Sequence, residues 1–230
     1  SNVSIIVQPQ GKLIVDGGRL TNLDANQLWQ GILLLGNPSS SQSLIQSDQG
    51  IVILENAILE NAECAIKIGE TIKETMLNGD LIYSLVPGGG IVSAENSQFL
   101  NNRKSIHFDE YIYRNGENEY DNKSVFKECS FMVDVNAFFE IQNYESQVSL
   151  FGVRGISFNG CVFSNTKSNH TGIGIYANTA GFKINNYIFP FDPYIVNPPY
   201  YPTQTQFSGY RVAIDVKSSG SKSVNIINAN

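Results

Sequence analysis

The sequence predicts an all-β fold, a parallel β-helix or solenoid of short strands joined by irregular loops. Three observations favour this fold class. No stretch sustains a helical period of 3.6 residues, short segments alternate apolar and polar residues, and asparagines recur at fixed points within those segments. Short strands without helices leave an antiparallel sandwich or barrel as the alternative.

The repeat is visible in four segments that share one frame. Each has an apolar-x-apolar strand, a small polar residue, an aromatic or aliphatic residue and, where the segment is long enough, an asparagine and a second apolar-x-apolar strand. The segments are IVILENAILENAECAIKI at 51–68, IVSAENSQFLNNRKSIHF at 91–108, VFKECSF at 125–131 and ISFNGCVFSNTKSNHTGIGI at 156–175. Neighbouring copies start about 30 to 40 residues apart, and the excess length lies in loops.

The asparagines favour the solenoid over the antiparallel alternative. The columns of the frame are Asn56, Asn96, Cys129 and Cys161, and then Asn61, Asn101 and Asn165. Asparagine adopts the left-handed backbone conformation at low cost, and its amide can bond to an asparagine one copy above or below. Asn-Gly hairpin signals are few. We therefore expect ladders of stacked amides, with the two cysteines as buried free thiols and Trp29 packed in the first copies.

Composition limits the partners. The 230 residues are 42% hydrophobic and 16% charged, which suits one folded domain over 1–230. A net charge of −6 argues against nucleic acid as a partner, and no apolar run is long enough for membrane insertion. Ser1-Asn2 resembles a tag scar and 223–230 begins a further copy of the repeat, so we expect a fragment of a longer protein. The sequence does not indicate an oligomeric state.

Taken together, the segments at 11–22, 28–37, 50–66, 89–111 and 153–165 resemble a module of large secreted or cell-surface proteins of Bacteroidetes-type bacteria. Those proteins are similar to right-handed parallel β-helices of the pectin-lyase-like kind. The resemblance covers roughly residues 10–182, and it implies that fold and a secreted or cell-surface location. It brings no catalytic residues with it.

No catalytic constellation, metal site or cofactor site is predicted. The polysaccharide enzymes of this fold need clustered carboxylates or a carboxylate-bound calcium with a basic residue, and neither pattern is found. The acidic loop 116–122 (GENEYDN) lacks a calcium-binding frame, so we interpret it as a solvated loop. His107 alternates with apolar Ile106 and Phe108, which places it on the outer face as an ordinary surface histidine.

The segment 187–207 (YIFPFDPYIVNPPYYPTQTQF) is the best candidate for binding. It holds five of the eight prolines and four of the eleven tyrosines, so we interpret it as a loop insertion. Prolines hold aromatic rings in place at low entropic cost, and the candidate ligand-binding residues are Phe191, Tyr194, Tyr200 and Tyr201. Packing of this loop over one sheet is the alternative.

These observations predict a non-catalytic module of a secreted or cell-surface bacterial protein. It would be adhesin-like or glycan-binding, with a polysaccharide or a surface protein as its partner. The alternative is a polysaccharide lyase or glycoside hydrolase of the pectin-lyase-like type, active or degenerate.

Overall fold

All regular secondary structure in the described part of the chain is β-strand. The structure is a computed structural model that describes residues 3–24, 26–44, 48–75, 81–86, 88–140, 142, 144–167, 172–187, 203–218, 222–227 and 229, with the backbone alone for 70–75 and 81–86. The sequence segments that alternate apolar and polar residues form these strands, because alternate side chains of a strand point to opposite faces.

The strands are short. In chain order they are β1 (Ser4–Val7), β2 (Lys12–Asp16), β3 (Arg19–Leu20), β4 (Gly31–Leu34), β5 (Ile51–Glu55), β6 (Ile58–Glu60), β7 (Cys64–Ile68), β8 (Glu70–Thr75), β9 (Leu81–Val86), β10 (Ile91–Glu95), β11 (Gln98–Leu100), β12 (Lys104–Phe108), β13 (Tyr113–Asn115), β14 (Asn118–Tyr120), β15 (Val125–Lys127), β16 (Ser130–Val133), β17 (Ser146–Phe151), β18 (Arg154–Asn159), β19 (Val162–Asn165), β20 (Ile173–Asn178), β21 (Gly181–Asn185), β22 (Gln206–Ser208), β23 (Val212–Ser218) and β24 (Asn225–Ile226).

Twenty of these strands form three parallel sheets. Sheet I has the order β1-β4-β7-β12-β17-β20-β23, sheet II the order β2-β5-β10-β15-β18-β21-β24, and sheet III the order β3-β6-β11-β16-β19-β22. The chain visits sheets I, II and III in that fixed succession, and we call one such passage a circuit. Each strand therefore pairs with the equivalent strand of the next circuit, as Ile51 pairs with Ile91.

Antiparallel pairing in the described residues is confined to strand hairpins outside these sheets and to one isolated bridge, Tyr187 with Thr203. The β8–β9 and β13–β14 hairpins each lie between a strand of sheet I and the following strand of sheet II. The expectation of an all-β fold with parallel sheets is confirmed, and an antiparallel sandwich or barrel is excluded.

One continuous apolar core lies between the sheets, and phenylalanines stack along it. Phe99, Phe131, Phe163 and Phe207 occupy equivalent positions in four successive strands of sheet III. Their ring centroids are separated by 4.9, 4.5 and 4.5 Å, with the planes within 9° of parallel. Trp29 is also buried in this core, as predicted, and its Nε1 donates to the Glu60 carbonyl at 2.7 Å.

The turn between sheets II and III contains one bond of the predicted amide ladder. Asn56 and Asn96 have φ of 51° and 47°, and Asn96 Nδ2 donates to Asn56 Oδ1 at 2.7 Å. In the next two circuits the equivalent positions hold Glu128 and Gly160, with φ of 49° and 62°. From Asn56 to Gly160 the column therefore has a left-handed backbone in four successive circuits, a conformation that asparagine and glycine adopt most easily.

The predicted column of cysteines is wrong by one residue. Cys129 and Cys161 do not occupy the positions of Asn56 and Asn96; they follow the left-handed residue and align with Ala57 and Ser97. These positions face the core, and both cysteines are buried free thiols, as expected.

Candidate functional site

A groove lies on the outer face of sheet I, at the starts of β4, β7 and β12. Its volume is about 530 Å³, within the range of about 300–1,000 Å³ that is usual for ligand pockets. One column of outward side chains runs through it and beyond it across the sheet, and its members in successive circuits are Leu33, Lys67, His107, Ser149, Tyr176 and Asp215. From Leu33 to Tyr176 the residues on either side of these positions are buried, so this part of the column points away from the core.

Three permanent cations line this groove, contributed by two successive circuits. Lys67 lies on β7, and Arg103 and Lys104 lie at the start of β12. Arg103 Nε lies 3.4 Å from Glu63 Oε2, and its guanidinium lies 5.7 Å from the centre of the Phe139 ring. These contacts hold Arg103 in place. Lys104 has no ion-pair partner among the described residues, so its ammonium is open to a ligand.

His107 lies at one end of a row of three rings. Its Nε2 lies 3.1 Å from Asp109 Oδ1, and its ring lies 5.4 Å from the ring of Phe151. Phe151 in turn lies 5.6 Å from Tyr176, so three rings follow one another across β12, β17 and β20. All three side chains are partly exposed. The prediction that His107 faces outward is confirmed, and its contact with Asp109 was not foreseen.

Cys64 lies in the groove, and its thiol is protonated at neutral pH. Burial raises the pKa of its thiol to about 12, although the neighbouring Lys104 and Lys67 ammonium groups favour the thiolate. Nucleophilic attack requires the thiolate. Cys64 therefore acts as a small apolar residue between the two lysines.

Ser149 is next to His107 in register, so the structure brings together a serine, a histidine and an aspartate. Ser149 is only 2% exposed, and its Oγ lies 2.7 Å from Ser146 Oγ. A serine nucleophile needs a hydrogen bond to its base and access to substrate, and Ser149 has neither. This trio is not a catalytic triad.

The acidic loop 116–122 is not simply solvated, which corrects the sequence interpretation. Glu119 lies 3.4 Å from an Arg114 nitrogen and 3.9 Å from Lys222 Nζ, and Asp121 Oδ1 lies 2.7 Å from Arg154 Nε. Burial lowers the pKa of Lys222, while the Glu119 carboxylate acts in the opposite direction. The described residues contain no group of three or more histidine, cysteine or acidic side chains arranged to hold a metal ion. Side-chain cations pair with these carboxylates and fix the hairpin.

The residues singled out for binding from sequence, Phe191, Tyr194, Tyr200 and Tyr201, lie outside the described residues. The described ends of their segment are joined, because the backbones of Tyr187 and Thr203 donate to each other at 2.9 Å. Thr203 and Tyr187 also lie against Gly160, where a Cβ atom would meet Tyr187 Cβ at 2.7 Å. The segment thus leaves and rejoins the fold beside β18 and β19.

Sequence reasoning missed the cations and rings of the groove, namely Lys67, Arg103, Lys104, Phe151 and Tyr176. Lys67 shares the outward position with His107 in the repeat frame, so stacking the copies would have paired these two residues. The β17 strand was not recognised as part of a copy of the repeat. The position of Phe151 next to His107 therefore could not be predicted.

Comparisons with known proteins give no further identification. No family model, curated protein or solved structure matches the chain. The described residues contain no helix long and apolar enough to cross a lipid bilayer.

Proposed function

We propose that this chain is a right-handed parallel β-helix that serves as a non-catalytic, glycan-binding module of a secreted or cell-surface bacterial protein. The groove on sheet I takes an acidic polysaccharide. The observation that carries the ligand class is the cation cluster: Lys67, Arg103 and Lys104 line one groove of a chain whose net charge is −6.

The succession of strands supports the solenoid. Every strand of sheets I, II and III pairs with the equivalent strand of the next circuit, in parallel. This is the pairing expected of a chain that winds in one direction around the core between the sheets. The right hand follows the general preference for right-handed parallel crossovers, and the resemblance of the repeat to secreted β-helical modules supports the location.

The side chains of the groove suit a carboxylated or sulfated sugar. Lys104 offers an uncompensated ammonium, and Arg103 is held by Glu63 and Phe139 so that little side-chain entropy is lost on binding. The row His107, Phe151 and Tyr176 continues the surface with partly exposed rings. Rings offer a flat apolar surface to the C–H face of a sugar, and the cations attract its anionic group.

One observation favours a polysaccharide lyase as a second candidate. His107, whose Nε2 lies 3.1 Å from Asp109 Oδ1, lines the same groove as Lys67 and Glu145. In β-elimination a base removes the proton next to the sugar carboxylate, the bond to the leaving sugar breaks, and a double bond forms. The binding module and the lyase are separated by the appearance of unsaturated product at 235 nm.

Calorimetric titration with polygalacturonate, alginate and chondroitin sulfate, against neutral dextran, tests the proposal. We expect binding to at least one acidic polymer that weakens with added salt, because the attraction is screened. Lys67→Ala with Lys104→Ala should weaken it at least tenfold. Lys12→Ala with Lys183→Ala removes the same charge from exposed positions outside the groove, and it should change affinity less than twofold. The proposal would be overturned if the two double variants lost affinity equally, or if no acidic polymer bound.

A further inference from the structure

A second cavity lies at the turn that joins sheet III to sheet I. Its volume is about 400 Å³, and its residues come from the ends of β3, β6, β11 and β16 in four successive circuits. Asn61, Asn101 and Asp134 follow three of these strands and line it. Arg103 of the groove comes two residues after Asn101, so the cavity and the groove lie on either side of the same turns.

The amide column at this turn is interrupted where the cavity opens. Asn61 Nδ2 donates to Asn22 Oδ1 at 2.9 Å, and Asn101 Nδ2 donates to Asp134 Oδ1 at 2.9 Å. Within the described part of the chain, no hydrogen bond joins the side chains of Asn61 and Asn101.

Other amides of consecutive circuits bond to each other, as Asn61 does to Asn22. Asn96 donates to Asn56 at 2.7 Å, and Asn185 donates to Asn159 at 3.0 Å. Asn61 and Asn101 are also consecutive, and both have a positive φ, of 56° and 51°. The turn geometry of a ladder is therefore present at this cavity without the bond between the two amides, whose Nδ2 groups bond to Asn22 and Asp134 instead. The amide that is exposed at the cavity is that of Asn136, whose Nδ2 lies 3.3 Å from Asp134 Oδ2.

One wall of the cavity is apolar and exposed. Phe138 lines it and is 40% exposed, and Leu23 beside it is fully exposed. Phe138 packs edge to face against Phe139, at 6.0 Å and 86°. Phe139 is buried in a small cluster with Leu28, Val133 and Ala137. The exposed ring is thus anchored by a buried neighbour, so binding a ligand would cost it little entropy.

The charges of the cavity nearly cancel. Arg19 donates to both carboxylate oxygens of Glu60, through Nε at 2.9 Å and through its terminal nitrogen. The Glu60 side chain is only 8% exposed, so the pair is fixed at the base of the site. Asp134 is the carboxylate that remains, and its Oδ1 already accepts from the Asn136 backbone at 2.8 Å. This charge balance does not attract a polyanion.

We propose that this cavity is a second glycan subsite, specific for a sugar unit without charge. The exposed Asn136 amide places a donor and an acceptor side by side at this cavity, which matches the two neighbouring hydroxyls of a sugar. The exposed Phe138 ring receives the C–H face. This subsite is independent of the acidic-glycan groove, since it shares no lining residue with it.

Saturation-transfer NMR and calorimetry with cellohexaose, xylohexaose and mannohexaose test the subsite. We expect at least one of these neutral hexasaccharides to bind, with a dissociation constant below 5 mM. Phe138→Ala and Asn136→Ala should each weaken it at least tenfold, whereas Phe138→Trp should retain it. Val135→Ala is the matched control, because Val135 is an exposed apolar residue of the same loop that does not line the cavity.

The Lys67→Ala, Lys104→Ala variant separates this subsite from the groove. It should bind the neutral hexasaccharide as well as the unmodified protein does. The inference is overturned if none of the three sugars binds at 5 mM. It is also overturned if Phe138→Ala and Val135→Ala have the same affinity, or if the groove variant loses neutral binding. Circular dichroism of each variant shows that the fold is intact.

Discussion

Replacing Phe131 by alanine tests the stacked phenylalanine column as the main stabilising element. Phe131 is fully buried, and its ring stacks on Phe99 at 4.9 Å and on Phe163 at 4.5 Å. Its edge contacts with Phe126 and Phe158 have centroid distances of 5.8 and 6.0 Å. Truncating a buried phenylalanine costs about 3–5 kcal/mol through lost burial and the cavity that remains.

Four ring partners place Phe131→Ala near the upper part of that range, so we expect a loss of about 4 kcal/mol in the free energy of unfolding. For a chain of this length the loss corresponds to a melting temperature lower by roughly 8–16 °C. Urea unfolding, followed by far-ultraviolet circular dichroism and by Trp29 fluorescence, measures it. Coincident transitions justify a two-state treatment.

The matched control is Phe138→Ala, which removes the same side chain from a partly exposed position. It should cost less than about 1 kcal/mol, as most surface substitutions do. Phe131→Leu keeps an apolar side chain in the core and should cost less than Phe131→Ala. If Phe131→Ala and Phe138→Ala unfold within 1 kcal/mol of each other, the column does not have the stabilising role assigned to it.

Three further predictions concern the turns and the thiols. Asn96→Ala loses both the left-handed preference and the bond to Asn56, so it should lower the free energy of unfolding by about 2 kcal/mol. Asn96→Gly keeps the backbone preference and should lower it by about half as much. Equal losses for the two variants in urea unfolding would contradict this assignment. Gly31 and Gly116 both have a positive φ, but a Cβ atom at Gly31 would lie 1.8 Å from the Cys64 carbonyl oxygen while one at Gly116 meets nothing within 4 Å. Gly31→Ala should therefore lower the melting temperature several times more than Gly116→Ala, whose only cost is the roughly 1–2 kcal/mol of placing alanine in a left-handed conformation. Equal shifts in melting temperature would show that Gly31 does not lie this close to the Cys64 carbonyl. The raised pKa of Cys64, about 12, leaves roughly one thiol in 10⁴ ionised at pH 8, so a disulfide reagent should modify Cys64 slowly in native protein. Cys129 and Cys161 are buried, so they should react only in unfolded protein, and reaction of either within seconds in native protein would refute their burial.

The repeat frame could be predicted from sequence because each of its parts has a physical cause that leaves a pattern. Core positions must be apolar in every circuit, and the left-handed turn selects asparagine at Asn56 and Asn96. Two residue types at fixed spacing were therefore enough to predict parallel stacking. Trp29 and His107 were placed correctly for the same reason, since alternation along a strand decides which face a side chain takes.

The exact alignment of later circuits could not be predicted. Glu128 has a φ of 49°, although glutamate has no preference for that conformation. Its neighbour Cys129 resembles a small polar residue and was assigned to the column instead. Parallel register, fixed by the backbone, overrides the local preference of one residue, and a single sequence contains no sign of this.

The groove was missed because its residues come together only through the stacking of circuits. Lys67 and His107 are forty residues apart in the chain and adjacent across sheet I. The sequence prediction placed binding in the proline- and tyrosine-rich segment 187–207 instead, since an unusual local composition can be recognised without knowing the fold. A binding surface made of one ordinary residue per circuit is not visible in that way.

The pairing of equivalent strands has a consequence for how order spreads through the molecule. Phe99 and Phe207 belong to one column, but they lie three strands apart in sheet III. Within the column they are connected through the rings of Phe131 and Phe163. In an architecture of nearest-neighbour contacts, the stability of each circuit depends on the circuits next to it. A substitution in the middle of the column would therefore uncouple the circuits on its two sides. Their amide hydrogens would then exchange with separate opening free energies. The unmodified column would instead open as one unit.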